Sequence, residues 1–388
     1  MSQAKTVVIL GGGVGGLVAA NRLRQHLPDS HRVVLIDREA QHLFQPSLLW
    51  LAVGQRQAER IQRPLARLER KGIDVVRAEI ERLDPATRTV RAGGREFTGD
   101  AVIVSLGADL APGTIPGLVE AGHNLYTLAG AVALRDALAR FHGGRVVVLT
   151  AAPAYKCPAA PYEAAMLIDH ALRRRGVRDR VQLDLYAAEP APMGVAGPHV
   201  SAAVRAIVEQ KGIRYHPEHQ VAAVEPAPPT GRLAFANGAR AEFDLLVYVP
   251  PHRAPAVVRQ AGLAPDAGWV SVDRSTFATR FPDLFAIGDV TTVPLTMGKP
   301  LPKAGVFAAA QAEVVAANLV AEWVGEGGSP RRFDGHGQCF LETGDGRAGL
   351  GTGNFYAEPS PQVQLHGPSR WWHWGKVLFE RRWLSRWF

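Results

Sequence analysis

The chain has 388 residues, of which 47% are apolar, which is enough for two or more domains that each bury a core. Basic residues outnumber acidic ones by 44 to 36, a formal charge of +8, and we expect no nucleic-acid partner and no metal site. Its two cysteines, Cys157 and Cys339, are too few for a secreted disulfide scaffold.

The N-terminal stretch TVVILGGGVGGLVAANRL predicts a buried strand, a glycine turn and a helix. Gly11, Gly13 and Gly16 fit the pattern G-x-G-x-x-G, which allows a tight turn, close approach of a pyrophosphate and close packing of helix on strand. Asp37 ends the next buried strand, HRVVLID, where an acidic residue can accept hydrogen bonds from a ribose. The segment therefore predicts a dinucleotide-binding Rossmann unit. The polar residues before it do not resemble an export signal.

Two later segments favour FAD over NAD as the dinucleotide. DAVIVSLGADL predicts a strand that returns through a turn at Gly107, as in flavoproteins with two dinucleotide folds. FPDLFAIGDV places Asp289 after a strand and a tight glycine, where it would bind the ribityl chain. The next stretch, GKPLPKAGVFAAAQAEVV, predicts a helix whose N-terminus would favour negative charge on a reduced flavin. Lys303 either adds a full charge there or lies in solvent.

A second unit of strand, loop and helix begins at RVVVLT, but its loop has lost the phosphate-binding pattern. No glycine occurs from Ala151 to Tyr162, so side chains would stand where a pyrophosphate must contact backbone. We therefore do not expect NAD(P)H to bind there. The loop instead contains Cys157, which suggests a different source of electrons.

The helix after this loop is predicted to begin near Pro158 or Pro161. A helix N-terminus and the adjacent Lys156 would both lower the pKa of Cys157 and favour the reactive thiolate. Glu163, six residues after the cysteine, has two interpretations. It is either a general base for a thiol or for H2S, or a first-turn carboxylate that complements the helix dipole.

The second cysteine, Cys339, lies in FDGHGQCFLETGDGRAGLG, which predicts a β-hairpin with its turn at TGDGR. A linker is predicted just before it, at GEGGSP. Cysteine on a strand is usually a small buried apolar residue. The alternative is that folding brings Cys339 to Cys157 as a redox pair.

The C-terminal stretch, SRWWHWGKVLFERRWLSRWF, contains five of the eight tryptophans, together with five basic residues and one acidic residue. Tryptophan and arginine suit the headgroup layer of a membrane. On a helical wheel one apolar side has Trp371, Trp374, Leu378 and Phe388, and the other has Trp372, Phe379, Trp383 and Trp387. One side would enter the bilayer, and the other would pack on the body or on a partner subunit in a homo-oligomer. The segment is too short and too charged to span a bilayer.

Taken together, these motifs resemble the sulfide:quinone oxidoreductases and the flavoprotein subunits of flavocytochrome c sulfide dehydrogenase. The resemblance rests on GGGVGG, on KCPAAPYE at 156–163, on FAIGDV followed by LPKAGVFA, and on Cys339 near the hairpin. It implies that Cys157 and Cys339 lie beside the flavin, joined by a disulfide or polysulfur bridge. Sulfide would attack the bridge, two electrons would pass to FAD, and quinone would accept them from the opposite face. Phe340 and Phe355 are candidates to sandwich the quinone.

The sequence departs from many members of that family, which have a third cysteine in the region matching GHNLYTLAGA. The sulfur product is therefore left open between polysulfide and a single sulfur passed to an acceptor. Three alternatives also remain. They are a type II NADH:quinone oxidoreductase, a cytochrome-linked sulfide dehydrogenase subunit, and a non-catalytic flavin-binding membrane protein.

The predicted fold class is α/β, with two Rossmann-like domains, a C-terminal hairpin and an amphipathic membrane-associating helix. A split FAD domain is expected over 1–112 and 270–325. The second Rossmann-like domain covers 113–269, and 326–388 form the segment for the redox cysteine and membrane association. We expect a peripheral protein of the cell membrane, with the membrane face left open.

Overall fold

The structure is a computed structural model that describes residues 3–227, 229–265, 268–325 and 329–388. Two five-stranded parallel sheets form its framework, and this confirms the α/β prediction. Residues 326–328 of the predicted linker lie outside the described residues, and the domain boundaries stay a prediction.

The first parallel sheet takes strands from both sides of a long insert. Its central strand is apolar and buried along nearly its whole length, as expected where helices cover both faces of a parallel sheet. The edge strand follows the insert in sequence, so the chain returns to this sheet after forming the second one. The strands, in spatial order, are Leu284–Ala286, Ala101–Val104, Thr6–Leu10, Arg32–Asp37 and Asp74–Arg77.

The second parallel sheet repeats this arrangement within the insert. The strand that precedes the cysteine loop lies at its centre, with a neighbouring strand hydrogen-bonded on each side. The loop therefore leaves from the carboxyl edge of the sheet, the edge where α/β proteins bind ligands. The strands, in spatial order, are His123–Asn124, Leu245–Val249, Gly144–Thr150, Val181–Tyr186 and Arg214–His216.

The long helix Gly305–Val324 packs against Val14–His26, the helix that follows the glycine turn. By length and composition it is apolar enough to cross a membrane, and among the described residues only this helix is. Nine of its residues are nevertheless buried within the protein. It is therefore a core helix, as the polar residues that interrupt it predict.

The predicted hairpin consists of His336–Gly344 and Arg347–Asn354. Asp345 and Gly346 form the turn with φ values of 57° and 62°, the left-handed conformation that a tight Asp-Gly hairpin turn requires. The hairpin is part of a larger unit, because Gln362–Ser369 adds a third antiparallel strand. The chain then enters the C-terminal helix, Arg370–Arg386, whose first turn is capped by the Ser369 side chain.

The described residues contain six further α-helices and twelve further strands. The α-helices are Leu48–Ala52, Leu118–Ala121, Leu128–Arg140, Ala160–Arg174, Pro198–Gln210 and Ala256–Gln260. The remaining strands are Gln41–Leu43, Gln62–Pro64, Ile80–Asp84, Thr89–Ala92, Arg95–Thr98, Asp109–Leu110, Val221–Glu225, Gly231–Phe235, Arg240–Phe243, His252–Arg253, Val270–Ser271 and Thr291–Thr292.

Candidate functional site

The glycine turn has the geometry of a phosphate cradle. Gly11 has a φ of 98°, and a Cβ added to Gly16 would lie 1.8 Å from the carbonyl oxygen of Gly11. A Cβ on Gly13 would meet nothing within 4 Å, so this position faces open space where a pyrophosphate can approach. The Asp37 carboxylate, at the carboxyl end of its strand, accepts the Gly12 N–H at 2.5 Å.

The second predicted flavin-contacting segment follows the edge strand of the same parallel sheet, at the sheet's carboxyl edge. Asp289 sits in a short turn after its strand, with Gly288 at a φ of 75°. The pKa of Asp289 is raised by burial, although Lys156 and Lys303 oppose that effect. Its Oδ1 atom is buried without a hydrogen-bond partner among the described residues. A buried carboxylate oxygen of this kind calls for a donor, and a ribityl hydroxyl would supply one. The residues present therefore fit FAD.

Lys303 is not a solvated surface residue. Its Nζ atom donates to the carbonyl oxygens of Asp289 and Thr291, both at 2.8 Å, and lies 3.5 Å from the centroid of the Trp269 ring. Burial lowers its pKa to about 8 despite the charge of Asp289. Gly107 lies three residues beyond the end of its strand and has a φ of 65°.

The cysteine loop is fixed by bonds to its backbone. Cys157 adopts a left-handed φ of 51°, uncommon for a residue with a side chain, and its N–H donates to the carbonyl oxygen of Lys303 at 2.6 Å. The Tyr126 hydroxyl donates to the carbonyl oxygen of Lys156 at 2.6 Å. The helix begins at Ala160, close to the predicted position. The loop is thereby tied to the segment that supports Asp289.

The two cysteines, 182 residues apart in sequence, pack against the same hydrophobic core. Both are free thiols. Burial raises the pKa of Cys339 to about 12 and that of Cys157 well above its usual value, and the charge of Cys339 adds to the increase at Cys157. The prediction that Lys156 and the helix N-terminus lower the pKa of Cys157 is wrong for this structure, because desolvation outweighs them.

Glu163 lies in the first turn of its helix but does not face solvent. Its Oε1 atom accepts the Glu342 N–H at 2.8 Å and the Lys376 ammonium at 2.7 Å, and both side chains of that ion pair are almost fully buried. Burial alone would lower the pKa of Lys376, but Glu163 and Glu342 together outweigh it and the pKa is raised. Among the cations, Lys376 has the strongest effect on the pKa values of both cysteines.

The sequence offered no signal for Lys376 as a site residue. It lies in the C-terminal segment, where its charge was assigned to the membrane surface. Glu380, one turn further on, is also buried, and it accepts hydrogen bonds from Arg56 at 2.8–2.9 Å and from Ser47 at 2.5 Å. The assignment of the charge of Lys376 to the membrane surface is therefore wrong.

The C-terminal helix nevertheless has two distinct sides. Trp371, Trp374 and Leu378 are 82%, 63% and 53% exposed and form a stripe along the outer side. Trp383 and Trp387 are buried against the hydrophobic core that includes one face of the first parallel sheet. Phe388 departs from the predicted wheel, because its ring lies against His42 at 5.5 Å instead of joining the outer stripe.

The two phenylalanines predicted to sandwich a quinone have different neighbours. The Phe340 ring lies 6.5 Å from Phe379 of the C-terminal helix. The Phe355 ring instead packs edge-on to Phe307, on the long core helix, at 5.1 Å. Their role in binding a quinone stays a prediction.

Comparisons with known proteins find relatives that match most of this chain. The sulfide-quinone reductase of Aquifex aeolicus is 28% identical, over 98% of this chain and 91% of its own length. The mitochondrial sulfide:quinone oxidoreductase of Mus musculus is 24% identical, over 91% of this chain and 79% of its length. The X-ray structure of the Aquifex aeolicus sulfide:quinone oxidoreductase superposes with a TM-score of 0.89 at 27% identity, over 99% of this chain and 91% of that one. The resemblance seen in the sequence is confirmed.

The family comparison covers most of the chain. Residues 5–312 match the family described as pyridine nucleotide-disulphide oxidoreductase, which spans both parallel sheets and the cysteine loop. Proteins of this family bind FAD, so the prediction of FAD as cofactor is confirmed. The chain belongs to the pyridine nucleotide-disulphide oxidoreductase family.

Proposed function

We propose that this protein is a sulfide:quinone oxidoreductase, which oxidises sulfide through Cys157 and Cys339 and passes the electrons through FAD to a membrane quinone. One observation carries the proposal: two cysteines from distant parts of the chain pack against the same hydrophobic core, and the backbone N–H of Cys157 donates to the carbonyl oxygen of Lys303, whose ammonium donates to the carbonyl oxygen of Asp289. The names and coverage of the relatives support the same reaction. FAD, when bound, would supply a two-electron acceptor for these thiols.

The proposed chemistry begins with oxidation of the two thiols to a disulfide, which releases two protons and two electrons that bound FAD would accept. Sulfide then forms a bond to one cysteine sulfur while the disulfide bond breaks, leaving a persulfide and a thiolate. The charge of Lys376 lowers the pKa of both thiols against the effect of burial, so it favours the thiolate. Sulfane sulfur leaves to an acceptor or as polysulfide.

The second Rossmann unit supports an electron donor other than NADH. Where a dinucleotide ribose would need a free carboxylate, Glu189 already accepts hydrogen bonds from Tyr162 and Thr150, both at 2.8 Å, and from Tyr155. Tyr155 and Tyr162 belong to the glycine-free loop and its helix. Hydroxyl groups of the protein thus already occupy the carboxylate that a dinucleotide ribose would need. This disfavours a type II NADH:quinone oxidoreductase.

Anaerobic titration of the purified flavoprotein tests the reaction. We expect the flavin absorbance to bleach on addition of Na2S and to recover on addition of a short-chain quinone, while NADH leaves it unchanged. Bleaching by NADH but not by sulfide would refute the proposal in favour of the NADH-linked alternative.

We further propose that the protein lies on a lipid surface through the outer side of its C-terminal helix. The exposed Trp371, Trp374 and Leu378 recur at helical spacing, and Arg370, Arg381, Arg382 and Arg386 are exposed on the same helix. Tryptophan rings and arginine side chains favour the headgroup layer, where anionic lipid attracts the cations. A membrane quinone would then be close to the protein.

Replacing Trp371 and Trp374 together with serine should weaken binding to anionic phosphatidylglycerol vesicles by about 10²-fold, because two large apolar side chains no longer leave water. Vesicle flotation measures the bound fraction. Val119→Ser serves as the control, since Val119 is 49% exposed elsewhere on the surface and should leave binding unchanged. Equal binding by the double variant and the parent would rule out this face as the membrane contact.

A further inference from the structure

The excess positive charge of the chain is concentrated in two segments that lie far apart in sequence. Residues 370–388 contain five basic residues and one acidic residue, which gives a charge of +4. Residues 56–71 contain six basic and two acidic residues, which also gives +4. The two segments have 19 and 16 of the 388 residues, yet together they carry the whole formal charge of +8. The basic residues of the shorter segment are Arg56, Arg60, Arg63, Arg67, Arg70 and Lys71.

Folding places residues 56–71, which we call the basic flank, alongside the C-terminal helix. At one end of the flank, Arg56 donates to the Glu380 carboxylate at 2.8–2.9 Å. At the other end, the Lys71 ammonium donates to the carbonyl oxygen of Arg386 at 3.4 Å. Glu380 and Arg386 are six residues apart, which is about 9 Å along an α-helix. The flank therefore follows the second half of the C-terminal helix, and the two positively charged segments are neighbours in space.

The cations of the basic flank face solvent. Leu65 and Leu68 are buried in the hydrophobic core that also contains Trp383 and Trp387, and they fix the short 3₁₀ helix that ends the flank. The intervening residues are exposed. Among the described residues, no carboxylate forms a salt bridge with any of these exposed cations, so their charge is available to a partner. The exposed cations of the flank are Arg60, Arg67, Arg70 and Lys71.

Exposed arginines of the C-terminal helix extend the same positive surface. Arg381 and Arg382 lie three and four residues beyond Leu378, so they follow the outer stripe of Trp371, Trp374 and Leu378 on the same side of the helix. Neither arginine forms a salt bridge in the described part of the chain. The apolar stripe thus continues into cations, and the flank adds further cations beside that half of the helix.

We infer that the basic flank is part of the membrane contact, where it binds the headgroups of anionic lipid. This inference rests on the proposed attachment through the C-terminal helix. Exposed Trp371 and Trp374 on the adjoining helix favour a lipid surface over another polyanion, because they offer apolar side chains that only lipid would bury. A cation near an anionic membrane surface strengthens binding about fivefold, and the attraction extends over a Debye length of about 8 Å at physiological ionic strength.

Replacing Arg67 and Arg70 together with glutamine tests the role of the flank. We expect Arg67→Gln/Arg70→Gln to bind phosphatidylglycerol vesicles about 25-fold more weakly than the parent, because two cations no longer meet the anionic surface. On phosphatidylcholine vesicles, which have no net charge, the variant and the parent should bind equally. Vesicle flotation over a range of lipid concentrations measures both affinities.

The matched control removes the same charge at another place. Arg174 and Arg180 are exposed, and Arg180 directly precedes a strand of the second parallel sheet. Arg174→Gln/Arg180→Gln should therefore bind phosphatidylglycerol vesicles as the parent does. Equal weakening by the control pair would show that total charge governs binding and would overturn the inference. A loss by Arg67→Gln/Arg70→Gln that persists on phosphatidylcholine would also overturn it.

Comparison with Trp371→Ser/Trp374→Ser separates this inference from the proposed attachment. The tryptophan variant should weaken binding to both kinds of vesicle, since burial of apolar rings does not depend on lipid charge. If only the tryptophan variant bound weakly, the inference about the flank would be wrong and attachment through the helix would stand. If only Arg67→Gln/Arg70→Gln bound phosphatidylglycerol weakly, the flank would be supported and attachment through the tryptophans refuted.

Discussion

Cys157→Ser and Cys339→Ser should each reduce the rate of sulfide-dependent flavin bleaching by more than about 10³-fold, because a hydroxyl cannot form or open a sulfur–sulfur bond. Each replacement removes one half of the proposed bridge, so the two losses should be similar and the double variant little worse than either. Anaerobic stopped-flow absorbance with Na2S measures the effect. Serine is close to cysteine in size, so FAD content and thermal stability should stay near those of the parent.

The control for this experiment is photoreduction of the flavin in the same variants. Photoreduction of the flavin should be equally efficient in both serine variants, since it does not require the thiols. If one variant retained the parent bleaching rate, the corresponding cysteine would be a buried apolar residue without a redox role. Loss of FAD from both variants would require a conservative Cys→Ala replacement before the rates could be compared.

Lys376→Met should destabilise the protein by about 3–5 kcal/mol, because it leaves the Glu163 carboxylate buried without its cation. Urea unfolding followed by tryptophan fluorescence measures the free energy of unfolding. The double variant Glu163→Gln/Lys376→Met should recover much of this loss, since it buries no unpaired charge. An exposed pair, Arg205–Glu209, offers a matched comparison: Arg205→Met should cost no more than about 1 kcal/mol.

A small effect of Lys376→Met would contradict the burial of the Glu163–Lys376 ion pair. If Lys376→Met were as mild as Arg205→Met, water would have to reach Glu163, and the pair would lie in a more polar environment than its burial implies. The control for packing is Val377, the next residue of the helix. It is partly buried against the hydrophobic core that both cysteines contact, so Val377→Ala should lower the free energy of unfolding through lost apolar contact. Adding Glu163→Gln should not recover this loss.

The dinucleotide-binding half of the fold could be predicted because local rules determine it. The spacing of Gly11, Gly13 and Gly16 reflects steric needs of one turn, and these needs are visible in the sequence. The hairpin turn at Asp345–Gly346 is equally local, since it depends on left-handed backbone at two adjacent residues. The absence of glycine in the cysteine loop, which predicts that no dinucleotide phosphate binds there, is likewise a local feature of the sequence.

The inner part of the site could not be predicted because it depends on contacts between distant segments. Lys376 is 213 residues from Glu163, and nothing in a tryptophan- and arginine-rich stretch distinguishes a lysine that turns inward. The error on the pKa of Cys157 has a related cause. A helix N-terminus and a neighbouring lysine are visible in the sequence, whereas the extent of burial that outweighs them is a property of the whole fold.

The inward-facing charges of the C-terminal helix have a practical consequence for anyone who wishes to prepare a detergent-free form. Removing residues 370–388 would delete Lys376, the counter-ion of Glu163, and Glu380, the carboxylate that pairs with Arg56. It would also expose the apolar surface on which Trp383 and Trp387 pack. We therefore expect the truncated protein to be less stable and more prone to aggregate than the parent. Polar replacements limited to Trp371, Trp374 and Leu378 would change the proposed membrane contact and leave these inward-facing charges in place.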